Sequence, residues 1–180
     1  MPESMRADRF WAIVDRTAKF ADDRERQLEE LEAILSELPP ADVEAFEGAF
    51  NERLAASYTW DLWAAAYIIH GGSSDDAFEY FRRWLISSGR STFEAALAKP
   101  DDLADLIPGD QEEELEFEEY AYVAGDIWTG LTDGDLDDFA KGHFQQPSGD
   151  PKGTPFEEDD AYLAKRFPKL WARFGENPIG

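Results

Sequence analysis

The residues with the most chemical potential lie around one predicted turn between two helices. His70 precedes the Gly71-Gly72 pair, and Asp75 and Asp76 follow it. An imidazole beside carboxylates could transfer protons, and the same groups could help to bind a cation. The polar cleft predicted from this pattern is formed by Tyr58, Trp60, Asp61, His70, Asp75, Asp76, Glu79 and Arg82.

A purely structural interpretation accounts for the same residues. Trp60 would belong to the core, and a serine at 73 or 74 would cap the following helix. Asp75 and Asp76 would then stabilise the positive end of that helix dipole. Arg82 would be a buried or partly buried partner that orients the helix pair. Both interpretations stay open, and they differ in whether the polar side chains converge on one cavity.

A second candidate region is the acidic block at residues 100–140. It contains fifteen carboxylates and no lysine or arginine, whereas residues 141–180 have no net charge. We expect its densest part to form a face for a basic protein partner, through Glu112, Glu113, Glu114 and Glu116. An ordinary solvated surface is the alternative. The basic cluster at residues 165–173 is expected to dock on the acidic block of its own chain.

The elements that would position these residues are mostly helical. Apolar residues at helical spacing predict helices at about 8–20, 22–38, 40–57, 60–70 and 75–88. A capping box at Ser91 to Glu94 predicts a short helix, and longer helices are expected at about 111–131 and 157–174.

We therefore predict an all-α fold, a compact bundle of about seven or eight helices. Gly, Asp, Gln, Pro and Ser dominate residues 132–155, which predicts a long loop before the last helical segment. In domain terms, residues 1–131 would form a helical domain. Residues 132–155 would be the loop, and residues 156–180 would pack on the same domain.

Composition excludes several classes of function. The net charge of −23 opposes direct binding to nucleic acid or to an anionic membrane. With no cysteine and two histidines, no metal site and no cofactor are expected. No signal peptide or apolar stretch of eighteen residues is visible, so a cytoplasmic location is expected. The oligomeric state stays open.

The segment from Tyr58 to Gly89 carries a resemblance to a known family. It contains Trp63 followed by two alanines, the Gly71-Gly72-x-Ser-Asp-Asp turn, and the Tyr-Phe-Arg and Trp-Leu-Ile triplets at 80–82 and 84–86. These motifs resemble a bacterial family, domain of unknown function 4240, over roughly residues 8–125. The Phe10-Trp11-x-Ile start and the helix at 93–97 are similar too. The resemblance implies no activity and no catalytic residue.

Two functions follow as hypotheses. The first is a cytoplasmic interaction module whose acidic face binds a protein partner. The second is a small-molecule-binding protein or an enzyme that uses the polar cleft from His70 to Arg82. Whether the chain is an enzyme stays open.

Overall fold

The computed structural model describes residues 3–143 and 149–180, with side chains for 3–140 and 149–180. These residues form eleven α-helices and no strand, which confirms the all-α prediction. The helices outnumber the predicted seven or eight because several are short. They are α1 Ala7–Ala18, α2 Arg24–Ser36, α3 Pro40–Ala56, α4 Trp60–His70, α5 Asp75–Ser87, α6 Arg90–Ala98, α7 Leu103–Leu106, α8 Val123–Leu131, α9 Leu136–His143, α10 Asp160–Arg166 and α11 Pro168–Phe174.

Local sequence signals set the α4–α5 hairpin. The Thr59 hydroxyl accepts a hydrogen bond from the Leu62 N–H at 3.1 Å, and the Ser74 hydroxyl accepts one from the Ala77 N–H at 3.2 Å. These two caps satisfy amide groups that the first helical turn leaves without partners. Gly71 ends α4 with φ +69°, a left-handed conformation that glycine adopts at little cost.

The core is rich in aromatic rings. Phe10, Phe50, Phe78, Phe81 and Tyr120 are almost completely buried. The Tyr120 hydroxyl lies 2.8 Å from the buried hydroxyl of Thr17, so the polar end of this ring has a partner inside the core.

Helix α8 packs against both α2 and α3, and α9 packs against α3 and α8. Gly125 allows the close approach of α8 and α9. A Cβ atom there would lie 3.1 Å from Leu136 Cδ2 and 3.4 Å from Phe139 Cδ1. This arrangement leaves a cleft along α3.

Two predictions about secondary structure were wrong. The helix expected from Gln111 begins only with a 3-10 turn at Glu118–Tyr122, and residues 111–117 are not helical. The expected loop at 132–155 contains α9. In addition, α6 starts at Arg90 after Gly89, without a side-chain cap from Ser91.

The C-terminal segment returns to the body of the fold. Helix α11 packs against α4, α7 and the 3-10 turn Pro100–Asp102. The Ile179 N–H donates to the Ile69 carbonyl at 2.8 Å. None of the helices in the described ranges is long and apolar enough to cross a bilayer.

Candidate functional site

Residues 108–117, here called the acidic segment, have an irregular backbone that four neighbours hold in place. At its start, the Arg173 guanidinium donates to the Pro108 carbonyl. The Phe117 N–H donates to the Tyr80 carbonyl at 3.1 Å, and the Leu115 N–H donates to His70 Nε2 at 3.0 Å. Arg24 donates from its guanidinium to the Glu114 carbonyl. The segment is therefore fixed through its backbone, which leaves its acidic side chains available.

The local sequence explains why this segment is not a helix. Leu115 and Phe117 are buried, and the acids before and between them are not, so burial alternates with a period of two. A helix would place Glu112 and Glu116 one turn apart, and like charges at that spacing repel each other. An extended backbone that buries Leu115 and Phe117 in the core is therefore favoured over a helix at these residues.

The predicted partner face is largely open to solvent. Glu112, Glu113 and Glu114 are exposed, and Glu116 is half-buried. Burial raises the pKa of Glu116, and the neighbouring charge of Glu114 raises it further. Among the described ion pairs, the nearest cation is Arg24, whose Nε lies 3.8 Å from Glu113 Oε2. Glu112 and Glu114 thus take part in no ion pair among the described residues, and the ion pair of Glu113 is long.

Glu112 and Glu113 border a groove of about 650 Å³ between the α1–α2 connection, α5 and the acidic segment. We call it the acidic groove. Four carboxylates and two bases line it together with aromatic and small residues. Its charged and aromatic lining residues are Lys19, Asp22, Arg24, Trp84, Asp110, Glu112, Glu113 and Phe117.

The first part of the acidic block is already occupied by the chain's own C-terminus. Lys169 forms ion pairs with Asp102, at 3.0 Å, and with Asp105. The buried Asp101 accepts hydrogen bonds from the N–H groups of Lys169, at 3.2 Å, and Leu170, at 2.9 Å. The basic cluster therefore contacts residues 101–108, because Arg173 also donates to the Ile107 and Pro108 carbonyls. None of its ion pairs among the described residues reaches the glutamates at 112–116.

His70 serves as an anchor for the acidic segment. Because Nε2 accepts the Leu115 N–H, that nitrogen carries no proton, and the neutral ring must hold its proton on Nδ1. Nδ1 faces the carbonyl of Ala66 one turn earlier without a well-formed hydrogen bond. Burial lowers the pKa of His70, although the charge of Glu114 opposes this effect.

The remaining charged residues of the predicted polar cleft point to different partners. Asp75 and Asp76 are exposed in the first turn of α5. Glu79 pairs with Arg83 at 2.7 Å, rather than with Arg82. Asp61 pairs with Arg166 at 2.8 Å.

Arg82 is 4% exposed and packs between two aromatic rings. Its guanidinium carbon lies 4.9 Å from the Tyr58 ring centre and 4.8 Å from that of Phe78. Its Nη1 donates to the Leu54 carbonyl at 2.7 Å, near the C-terminal end of α3. Burial lowers the pKa of Arg82 to about 10. This arginine joins α3 to α5.

Trp60 stacks on Trp63, with the two ring centres 5.5 Å apart. The eight predicted side chains therefore do not gather around one cavity, and the structure favours a structural role for this group. Within the described residues, no three His, Asp or Glu side chains are arranged to hold a metal ion.

The sequence analysis missed Glu47. This half-buried residue of α3 lines an apolar cleft of about 480 Å³ that also contains Asn51, Leu54, Glu79, Arg83, Ala121, Tyr122, Gly125, Asp126, Leu136, Phe139 and Ala140. We call it the Glu47 cleft. An available signal was the spacing of Glu47 and Asn51, four residues apart beside the apolar face formed by Phe46 and Phe50.

Comparison with known proteins gave one match. A family model described as "Protein of unknown function (DUF4240)" matches residues 5–129. It covers the α4–α5 hairpin and the acidic segment. No curated protein and no solved structure showed a significant match to the chain.

Proposed function

This chain belongs to the DUF4240 family, whose description assigns no activity, and we propose that it is a cytoplasmic interaction module that binds a basic protein through the acidic groove. The observation that carries this proposal is the contrast within the acidic block. Asp101, Asp102 and Asp105 already have partners in the C-terminal segment, whereas Glu112 and Glu113 border an open groove.

The groove offers two kinds of contact to such a partner. Its four carboxylates, Asp22, Asp110, Glu112 and Glu113, outnumber Lys19 and Arg24, and they would attract lysine or arginine side chains. The half-buried Trp84 provides apolar surface for an anchoring side chain. Charge of this kind chiefly accelerates association and selects among partners.

The backbone anchors make the groove a preformed surface. His70, Arg24 and the Tyr80 carbonyl each bind a backbone group of the acidic segment. A surface that is already ordered loses little conformational entropy on binding. The partner would therefore meet the glutamates in the arrangement they have in the free protein.

The test begins with a pull-down from host lysate at about 50 mM and 500 mM salt, because screening weakens exposed charge pairs. A basic protein that is captured at low salt and released at high salt would then be purified. Its dissociation constant would be measured for the wild type and for the D110N/E112Q/E113Q variant, which neutralises three of the groove's carboxylates.

The matched control is E29Q/E32Q/E37Q, which removes three exposed carboxylates from α2 and its C-terminal cap. We expect the groove variant to weaken binding by at least tenfold and the control variant by less than threefold. Equal weakening by both variants would show that net charge, and not this groove, attracts the partner. Unchanged binding by the groove variant would overturn the proposal.

A further inference from the structure

The Glu47 cleft lies on another side of α5 from the acidic groove and has a different composition. It is bounded by α3, α5, α8, α9 and the 3-10 turn that precedes α8. Its volume of about 480 Å³ is in the range of cavities that hold small organic ligands. Leu54, Ala121, Leu136, Phe139 and Ala140 supply apolar wall.

Exposed apolar groups continue from this wall to the surface. Leu136 is 53% exposed and Tyr122 is 49% exposed, and both line the cleft. Large apolar side chains with this much exposure, placed together at a cavity mouth, are typical of a binding site. The apolar body of a ligand would cover them.

Glu47 is the half-buried carboxyl of this cleft that has no ion-pair partner among the described residues. Asn51 donates to its Oε1 at 3.4 Å, a long hydrogen bond. None of the ion pairs found among the described residues includes Glu47. Burial raises the pKa of Glu47 to about 7, against weaker opposing effects of Asn51 and Arg83. A half-buried carboxyl of this kind gains from any ligand that brings a positive charge.

Arg83 is the one arginine that lines the cleft among the described residues, and it already has partners within the protein. Arg83 donates to Glu79 Oε1 at 2.7 Å and to the Glu118 carbonyl at 3.1 Å. Its charge is thus compensated within the protein, while Glu47 and Asp126 add negative charge to the same cleft. The balance of charge disfavours an anionic ligand and favours a cationic one.

We propose that the Glu47 cleft binds a small molecule with an apolar body and a single protonated amine, whose N–H groups donate to the Glu47 carboxylate. The apolar body would lie against Leu54, Leu136 and Phe139. This site is independent of the acidic groove, so its failure would leave the proposed partner surface untouched.

The proposal predicts that amine affinity depends on pH through Glu47. The other charged groups that line the cleft are Glu79 and Arg83 of α5 and Asp126 of α8, together with the Tyr122 phenol. An amine binds the ionised form of Glu47. Since a group with a pKa of about 7 becomes roughly ten times more ionised between pH 6 and pH 8, affinity should rise by about tenfold over that range.

The test uses ω-phenylalkylamines with two to six methylene groups and the matching ω-phenylalkanols as probes. Binding to the full chain is measured by calorimetry at pH 6 and pH 8. We expect the best amine to bind at least tenfold more tightly than its alcohol at pH 8. Equal affinities of amine and alcohol, or no binding of either, would overturn the proposal.

Two variants locate the binding. E47Q should remove the preference for amine and its pH dependence, whereas the control E44Q, on the same helix, should keep both. A140F, at an exposed wall position, should weaken amine and alcohol alike by filling the cleft. Circular dichroism verifies that each variant is folded. A preference for amine that survives in folded E47Q would refute the assignment to Glu47.

Discussion

The acidic groove and the Glu47 cleft use the same side chain in opposite ways. In the groove, Glu112 and Glu113 project from an irregular segment into solvent. In the cleft, Glu47 projects from a regular helix towards apolar neighbours. Water screens and solvates Glu112 and Glu113, whereas burial works against the ionisation of Glu47. The chemistry of a carboxylate in this protein is thus decided by its surroundings.

The two regions also differ in what holds them. The acidic segment is held by a few hydrogen bonds of its backbone. Its Glu114 carbonyl accepts from Arg24, and its Leu115 and Phe117 N–H groups donate to His70 and to the Tyr80 carbonyl. The cleft depends on packed helices, with Gly125 allowing α8 and α9 to approach closely. Single polar substitutions should therefore disturb the groove's support, while the cleft should respond chiefly to changes in volume or buried charge.

The largest expected effect concerns the carboxylates that already have internal partners. D101A removes the acceptor for the N–H groups of Lys169 and Leu170 at the start of α11. Because these donors would be left without a partner in a buried place, the free energy of unfolding should fall by about 3 kcal/mol. Urea denaturation measures it. The control D105A, which removes an exposed partner of Lys169, should cost less than about 1 kcal/mol. Equal losses would contradict the distinction between the two aspartates.

The next effect concerns the buried side of the comparison. The pKa of Glu47 is raised in the folded state to about 7 from 4.5, so the folded protein holds this proton more tightly than the unfolded chain does. The stability that this proton provides is present below about pH 4.5 and is lost as the pH rises through 7. E47Q removes that dependence.

We expect E47Q to be more stable than the wild type at pH 8 by about 2 kcal/mol, and the difference to shrink towards pH 5. Thermal and urea unfolding at both pH values measure it. E44Q is the control and should show no such trend. A constant difference between E47Q and the wild type across this range would indicate that Glu47 is ionised like a surface glutamate.

A smaller effect tests how the acidic segment is held. H70F keeps a ring of similar size but removes the acceptor of the Leu115 N–H, which should cost about 1 kcal/mol of stability. Hydrogen exchange at the Leu115 amide should become faster in H70F than in the wild type. Y67F, on the preceding turn of α4, serves as the control. Unchanged protection of that amide in H70F would contradict the anchoring role.

The same anchor predicts a response to acid. The pKa of His70 is lowered by burial, so the folded state favours the neutral ring. This contribution to stability is present above the unfolded value of about 6.5 and is lost as the pH falls through the folded value. Exchange at the Leu115 amide, corrected for intrinsic rates, should therefore increase on acidification in the wild type, and this increase should be absent in H70F.

The smallest expected effect on stability belongs to the exposed side of the comparison. E113Q should change the free energy of unfolding by less than about 0.5 kcal/mol, since exposed charges contribute little to folding. The same change should slow association with a basic partner and reduce its salt dependence. Stopped-flow association at two salt concentrations measures this. A large loss of stability in E113Q would show that the glutamate supports the fold.

Much of the helical framework followed from the sequence because its signals are local. Ser74, one of the two serines predicted to cap α5, does cap it, and Gly71 ends α4 at the predicted turn. The start of α8 was predicted too early because Phe117 fits the helical spacing of the apolar residues that follow it. The alternate burial of Leu115 and Phe117 instead has the spacing of an extended chain. Helix α9 was missed because two aspartates and a glycine among its eight residues weaken the helical signal. Its position depends on packing against α3 and α8.

The candidate sites show the same division. Composition located the acidic block, and the exposed Glu112 to Glu114 lie where charge density predicts. The polar cleft was proposed from the residue types near one turn, but two of these residues contact distant parts of the chain instead. Asp61 pairs with Arg166, and His70 accepts the Leu115 N–H. Sequence proximity could not reveal those long-range contacts.

The sequence by itself determined the helical class, the hairpin at Gly71 and the concentration of negative charge, because caps, helical periodicity and composition act over a few residues. The tertiary structure alone decided which carboxylates bind other groups of the chain, which are exposed and which are buried. Asp101 accepts from the Lys169 N–H, 68 residues away in the sequence, Glu113 faces solvent, and Glu47 lies against apolar side chains. Desolvation and pairing depend on what packs around a group, and that is settled only when distant helices meet.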